Sequence, residues 1–239
     1  MNGRPAAGPI GEYGGGPDFL RGLGAIIFDL DGTLYDQKGI ARRLVLARPL
    51  DAFLMRAERQ TRKQFAGRSY GTVEAYFQAF FEELSKQIRR SASFARTWYF
   101  ETYMPLMTGI LAKHYRARPG AAEVFAALAS GANGLGGKIP FAVYSDYPMA
   151  AARLEAIGLD RGSCRVYGPQ DFGAQKPAAA PFLRIAGDLG SAPQDTLVAG
   201  DRDDTDGAGA AAAGMRYFSI SAPAWERFCS WVLPRKHAH

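Results

Sequence analysis

The chain of 239 residues has only two cysteines and three histidines. Cys164 and Cys229 stand in unrelated contexts without a CxxC spacing, which excludes a disulfide framework and a thiolate zinc site and leaves two ordinary thiols. His114, His237 and His239 lie far from any glycine-flanked serine, so a Ser-His-Asp hydrolase has no basis here. No apolar run approaches the length that spans a membrane, and a membrane is not an expected partner. Residues 1–24 are dominated by Gly, Pro and Ala, lack the apolar stretch of a secretory signal and read as a flexible leader. Together with the thiols, this makes a cytoplasmic location the expectation. Lys and Arg number 29 against 23 Asp and Glu, a net charge of +6, but no basic stripe gathers the excess beyond Arg235-Lys236-His237. Nucleic acid is therefore not an expected partner either.

What is present is the composition of a protein with a real core, 47% hydrophobic and 22% charged. Ala25-Ile26-Ile27-Phe28 is an unbroken apolar run that ends in Asp29 with Gly32 soon after, the pattern of a buried parallel strand entering a turn. The pattern recurs at 141–144 before Ser145, at 196–199 before Gly200-Asp201, and at 215–220, with a weaker instance at 165–167. Helical stretches lie between them at 121–129, 149–157, 178–189 and 205–213, the last with Thr205 and Asp206 as its N-cap, and a further helix is expected at 225–233. Strands alternating with helices imply an α/β fold, a Rossmann-like parallel sheet with helices on both faces.

Residues 37–116 break this alternation. Val73, Tyr76, Phe77, Phe80, Phe81, Leu84 and Ile88 recur at three- and four-residue spacing, with Glu74, Gln78, Glu82, Glu83 and Lys86 on the other face, which predicts an amphipathic helix. Residues 44–66 read as helix interrupted near Pro49, and 94–115 as helix broken or kinked at Pro105. The expected organisation is a leader (1–24), an α/β core (25–36 and 117–233), an inserted helical bundle (37–116) and a short tail (234–239).

Ligands of a parallel α/β sheet gather beyond the carboxyl ends of its strands, and those ends carry Asp29, Ser145 and Asp201. Asp29 and Asp31 are like charges with only Leu30 between them, which need a cation or a shared proton, and an oxygen-only ligand set beside a phosphate favours Mg²⁺. Asp201 and Asp206 could complete the acidic cluster, and Lys176 could fix a phosphate by its charge. Duller roles compete: Asp206 could cap a helix, Ser145 could be a turn residue and Lys176 a solvated charge.

Phe28-Asp29-Leu30-Asp31-Gly32-Thr33-Leu34 resembles the first motif of the haloacid dehalogenase (HAD) superfamily. Tyr144-Ser145, Lys176-Pro177 with Phe182, and Gly200-Asp201 through Asp206 with Ala213-Gly214-Met215 resemble the second, third and fourth, in order, over about 25–219. The resemblance implies a Mg²⁺-dependent phosphatase acting on a small phosphorylated metabolite, a sugar phosphate or nucleoside monophosphate. Asp29 would be the nucleophile and Asp31 the general acid and base, with Ser145 and Lys176 binding phosphate. The metal would be held by Asp29, Asp31 (through its carbonyl), Asp201 and Asp206. The inserted bundle would be a cap. The second aspartate separates this pattern from the dehalogenase branch. A phosphomutase and a catalytically silent binding module on the same fold are the alternatives. The cap aromatics, Tyr70, Trp98 and Tyr99 the least certain among them, are expected mainly as core, and Arg68, Arg89, Arg90 and Arg96 mainly as solvated charges.

Overall fold

A computed structural model describes residues 17–234 of the chain. Residues 1–16 of the expected leader and 235–239 of the expected tail lie outside the described residues. The described part of the leader differs from expectation. Pro17–Leu20 forms a 3₁₀ turn, Leu20 is fully buried, and Arg216 donates to the carbonyls of Phe19 (3.2 Å) and Arg21 (3.0 Å). The apolar side chains of Phe19, Leu20 and Leu23 and the Arg216 guanidinium hold this segment on the sheet.

The strands β1 (Ala25–Asp29), β2 (Phe141–Tyr144), β3 (Arg165–Tyr167), β4 (Thr196–Gly200) and β5 (Arg216–Ser219) make one parallel sheet in the order β3-β2-β1-β4-β5. β1 lies at its centre, with Phe28 opposite Val143 on one side and Ala199 on the other. The chain builds outward from β1 in one direction and later resumes beside it in the other. That makes the β1–β4 boundary the point where ligands of such sheets bind.

The inserted segment comprises α1 (Ile40–Ala47), α2 (Ala52–Phe65), α3 (Val73–Ile88), α4 (Ala92–Thr97) and α5 (Met104–His114). Pro49 starts a 3₁₀ turn between α1 and α2, where the break was expected. Thr72 and Ser91 cap α3 and α4 through their hydroxyls. Pro105 does not break its helix. It falls in the first turn of α5, directly after a wide π stretch, Trp98–Tyr103, that carries α4 into α5 and lies where a proline ring would otherwise crowd a normal turn. The remaining helices α6 (Ala121–Ser130), α7 (Ala150–Ala156), α8 (Ala179–Asp188), α9 (Ala208–Ala212) and α10 (Ala222–Val232) flank the sheet. The expected N-cap at Thr205 and Asp206 is not formed. Both residues are buried in a π turn, Asp203–Gly207, ahead of α9, because the Asp206 carboxylate is engaged elsewhere.

The two-residue period of β1 divides the core. Ile26 and Phe28 face α6 and α10, whereas Ile27 faces Phe182 and Ile185 of α8 and Ala210 of α9. Phe28 is fully buried among the rings of Phe125, Phe141 and Phe228, with centroids 5.7, 6.1 and 5.8 Å away. The apolar cluster on this face continues without a break into the inserted helices, where Tyr76, Phe80, Phe81, Trp98, Tyr99 and Tyr103 are buried. The aromatics of the insertion are thus chiefly its own core, and Arg68, Arg89, Arg90 and Arg96 are exposed.

The insertion is also stitched to the core by backbone. Gly67 N–H donates to the Lys176 carbonyl (3.0 Å), Gln175 N–H to that of Arg68 (3.3 Å) and Tyr70 N–H to that of Gly173 (3.0 Å). Gly173, at φ +63°, allows the Thr72 carbonyl to approach where any Cβ would collide with it.

Phe28→Ala is expected to lower the unfolding free energy by about 3–5 kcal/mol, seen as a lower urea midpoint at an unchanged slope. A loss below about 1 kcal/mol would contradict its role as the filler between sheet and helices.

Candidate active site

Each charged group at the centre of the site is delivered by the end of a strand or the loop that follows it. Asp29 is the last residue of β1 and Ser145 follows β2, while Asp201 follows β4 and Asp206 lies in the π turn behind it. Lys176 sits in the loop between β3 and α8. The register that sets Asp29 opposite Tyr144 brings the first two strand ends level.

The turn after β1 is tight because Gly32 occupies φ +93°, and a side chain there would collide with the Asp201 carboxylate and Gln37. Arg118 fixes the turn from outside, donating to the carbonyls of Thr33 (2.8 Å) and Gly32 (2.7 Å).

Lys176 is 2% exposed and its ammonium makes three contacts: Asp29 Oδ1 at 2.6 Å, Asp206 Oδ1 at 2.7 Å and the Tyr144 carbonyl at 2.9 Å. Burial alone would pull its pKa down, but Asp206, Asp29 and Asp146 outweigh it and hold the pKa well above the usual lysine range. It stays charged throughout the working pH range. The second oxygen of Asp29, Oδ2, is buried and has no partner.

Asp29, Asp201 and Asp206 each offer an oxygen within 4.8 Å of the others'. Burial pushes Asp29 up to about 7, with Asp206 and Asp31 adding to the rise that Lys176 opposes, and burial together with Asp29 pushes Asp201 to about 6. Asp206 is raised as well, again chiefly by burial. An orphaned buried oxygen inside three crowded carboxylates is a donor set that fits a hard divalent cation such as Mg²⁺.

Asp31 was expected at the metal through its backbone carbonyl, and its carboxylate stands outside the acidic cluster. Oδ1 accepts from Tyr35 Oη (2.5 Å) and from Arg153, and Oδ2 accepts from Ser145 Oγ at 2.9 Å. Burial would raise its pKa, but the Arg153 charge and the hydrogen bonds from Tyr35, Arg153 and Ser145 lower it. Ser145 Oγ, expected to be free for phosphate, is held by this same cluster and also accepts from Arg153 (3.0 Å) and from the Tyr147 N–H (3.1 Å).

Several participants were not read from the sequence. Tyr35 lies four residues after Asp31, a spacing that could have flagged it. Arg118, Asp146 and Gln37 carried no signal, and neither did Arg153, in an alanine-rich helix, or Arg62, in a polar one. Arg62, on α2, reaches the loop after β2: it donates to the Asp146 carbonyl (2.8 Å), ion-pairs with buried Glu58 and lies 3.5 Å from the Tyr147 ring centroid. Asp203 and Asp204 are exposed, and Asp204 pairs with Arg202 at 2.7 Å. His114 is exposed.

Residues 23–214 match the family of haloacid dehalogenase-like hydrolases. Among solved structures, the fold is similar to a 2-haloacid dehalogenase from Pseudomonas syringae pv. Tomato DC3000, at 18% identity, 83% of this chain, 86% of the other and a TM-score of 0.55. It is similar to a predicted phosphoglycolate phosphatase from Haemophilus somnus 129PT, at 23% identity, 84% and 86% coverage and a TM-score of 0.52. It is also similar to Bacillus subtilis YfnB, assigned as a HAD-hydrolase and bound to magnesium, at 17% identity, 83% and 88% coverage and a TM-score of 0.56. No curated protein sequence matches. Among the described residues, no helix is long and apolar enough to cross a membrane.

The raised carboxylate pKa values give the metal-free protein a pH dependence of definite sign. Protonated Asp29 and Asp201 favour the fold below their unfolded value of 3.8, and this contribution is lost as pH rises through about 6 for Asp201 and about 7 for Asp29. A divalent cation relieves the repulsion that remains. The melting temperature gain from MgCl₂ is therefore expected to be larger at about pH 8 than at about pH 5.5, and Asp201→Asn should remove most of it. A gain that is equal at both pH values, or larger in acid, would refute the cluster as a metal site.

Proposed function

Because the chain belongs to the haloacid dehalogenase-like hydrolases, we propose that this hydrolase is a Mg²⁺-dependent phosphatase of small phosphate monoesters, with sugar phosphates or nucleoside monophosphates as the substrate class. The observation that carries the reading is the separation of the two carboxylates of the first turn. Asp29 has a free oxygen beside Lys176 in the acidic cluster, while Asp31, two residues on, is held apart from it by a different set of donors. One carboxylate is suited to attack and the other to proton transfer. The absence of a second carboxylate from the dehalogenase pattern argues the same way.

In this reading Asp29 attacks phosphorus, the bond to the leaving oxygen breaks, and an aspartyl-phosphate forms. Asp31, ionised by its donors before substrate binds, relays to the departing oxygen the proton that a phosphate monoester brings as its monoanion. It then takes a proton from the water that attacks the phosphorus of the aspartyl-phosphate, which frees Asp29 and inorganic phosphate, and the proton leaves with the phosphate. Lys176 stabilises charge on the transferring group and holds Asp29 in place, and Ser145 orients Asp31. Mg²⁺ held by Asp29, Asp201 and Asp206 would neutralise the charge that separates an anionic nucleophile from an anionic phosphate. The helical insertion, which reaches the loops after β2 and β3, serves as the cap that selects the leaving group.

The test is release of phosphate from sugar phosphates, nucleotides and para-nitrophenyl phosphate with MgCl₂ or EDTA, alongside chloride release from 2-chloropropionate. Metal-dependent phosphate release is expected, abolished by Asp29→Asn and reduced about 10²–10⁴-fold by Asp31→Asn. Chloride release without phosphate release would replace this reading with a dehalogenase. A bisphosphorylated intermediate would replace it with a mutase. A folded, Mg²⁺-saturated protein inactive on every compound would leave a binding module.

A further inference from the structure

Arg153 is the largest fully buried side chain of the described residues, and the two groups its terminal nitrogens reach are both active-site residues. It projects from α7, behind the loop that follows β2. One terminal nitrogen donates to Ser145 Oγ at 3.0 Å and the other forms the ion pair with Asp31 Oδ1. Its Nε is buried without a partner. A guanidinium is a rigid planar fork, so engaging two groups at once fixes their relative position in a way that a flexible ammonium cannot. Ser145 in turn donates to the other oxygen of Asp31, so the three groups close a ring around one carboxylate.

The ring is braced from the cap side. The Arg153 guanidinium lies 5.1 Å from the centroid of Tyr147, the same ring that Arg62 of the cap approaches at 3.5 Å. Asp31 nevertheless keeps 15% of its side-chain surface exposed, whereas Arg153 keeps none. A substrate can therefore reach Asp31 but not Arg153.

Resting on the phosphatase reading, we propose that Arg153 is a positioning residue for the leaving-group chemistry: it holds the Asp31 carboxylate away from the acidic cluster and oriented, with Ser145, toward the departing oxygen. It does not touch the phosphoryl group, which is bound by other residues. Its loss therefore falls on bond cleavage to basic leaving groups and hardly on substrate binding.

The experiment compares phenyl phosphate with para-nitrophenyl phosphate, esters of similar shape whose leaving groups differ in their need for a proton. Arg153→Met is expected to lower kcat on phenyl phosphate about 10²-fold or more, and on para-nitrophenyl phosphate by only about tenfold or less, with KM on both nearly unchanged. In an Asp31→Asn background the same substitution should cost almost nothing further on para-nitrophenyl phosphate, because the group it positions is already gone. Circular dichroism and a thermal melt establish folding. If Arg153→Met does not fold, Arg153→Lys carries the test: its single ammonium can serve one of the two partners, and an intermediate leaving-group selectivity is expected.

Equal losses on both esters, a loss confined to KM, or full additivity with Asp31→Asn would overturn the proposal while leaving the phosphatase reading intact. A wild-type enzyme inactive on both esters and on the wider panel would overturn the phosphatase reading itself, and the role of Arg153 with it.

Discussion

The buried ammonium of Lys176 is the contact on which the arrangement of the site depends. A parallel sheet that delivers carboxylates from neighbouring strand ends into one buried volume incurs a large electrostatic cost. Lys176 offsets part of it by bridging Asp29 and Asp206 while also satisfying the carbonyl that ends β2. It does not offset all of it. Three carboxylates surround one lysine, the Asp29 and Asp201 pKa values remain raised, and one oxygen of Asp29 has no partner. The residual negative charge is what a cation held between these carboxylates would neutralise, and the lysine keeps that charge small enough for the fold to tolerate.

The second pair of opposite charges is kept separate from the first. Asp31 and Arg153 form their own unit with Tyr35 and Ser145, although the backbones of Asp29 and Asp31 are two residues apart. β1 ends at Asp29, so Asp31 lies beyond the strand, and one carboxylate meets the lysine while the other meets the arginine. Two identical side chains thus acquire opposite environments, one with its pKa raised chiefly by burial and the other with it lowered because Arg153 and three hydrogen bonds outweigh the same burial.

Much of the fold was legible in the sequence because its signals are local. Apolar runs that end in Asp or Ser give buried strands, as at 25–29 and 141–144, and three- and four-residue apolar spacing gives α3. The strand-end residues Asp29, Ser145 and Asp201 could be grouped by the rule for parallel sheets, and Lys176 and Asp206 do meet Asp29 and each other. What escaped depends on three-dimensional neighbours. An arginine within Ala-Ala-Ala-Arg-Leu reads as a solvated charge, and only the packing of α7 behind the loop after β2 makes it a buried partner of Asp31. Thr205 and Asp206 look like a helix cap until Lys176 claims the carboxylate. The π stretch before Pro105 and the ordering of Phe19 and Leu20 on the sheet likewise have no local sequence signature.

The backbone stitch between residues 67–70 and 173–176 bears on how this architecture can be recombined. Its three hydrogen bonds belong half to the insertion and half to the loop that carries Lys176, so the boundary between the two parts is a short two-stranded ladder rather than a pair of linkers. A chimera that received a foreign insertion at residues 37–116 alone would leave the Gln175 N–H and the carbonyls of Gly173 and Lys176 without their partners, beside the lysine that holds Asp29. The exchangeable module is therefore discontinuous in sequence: the insertion and the loop before α8 have to be transplanted together.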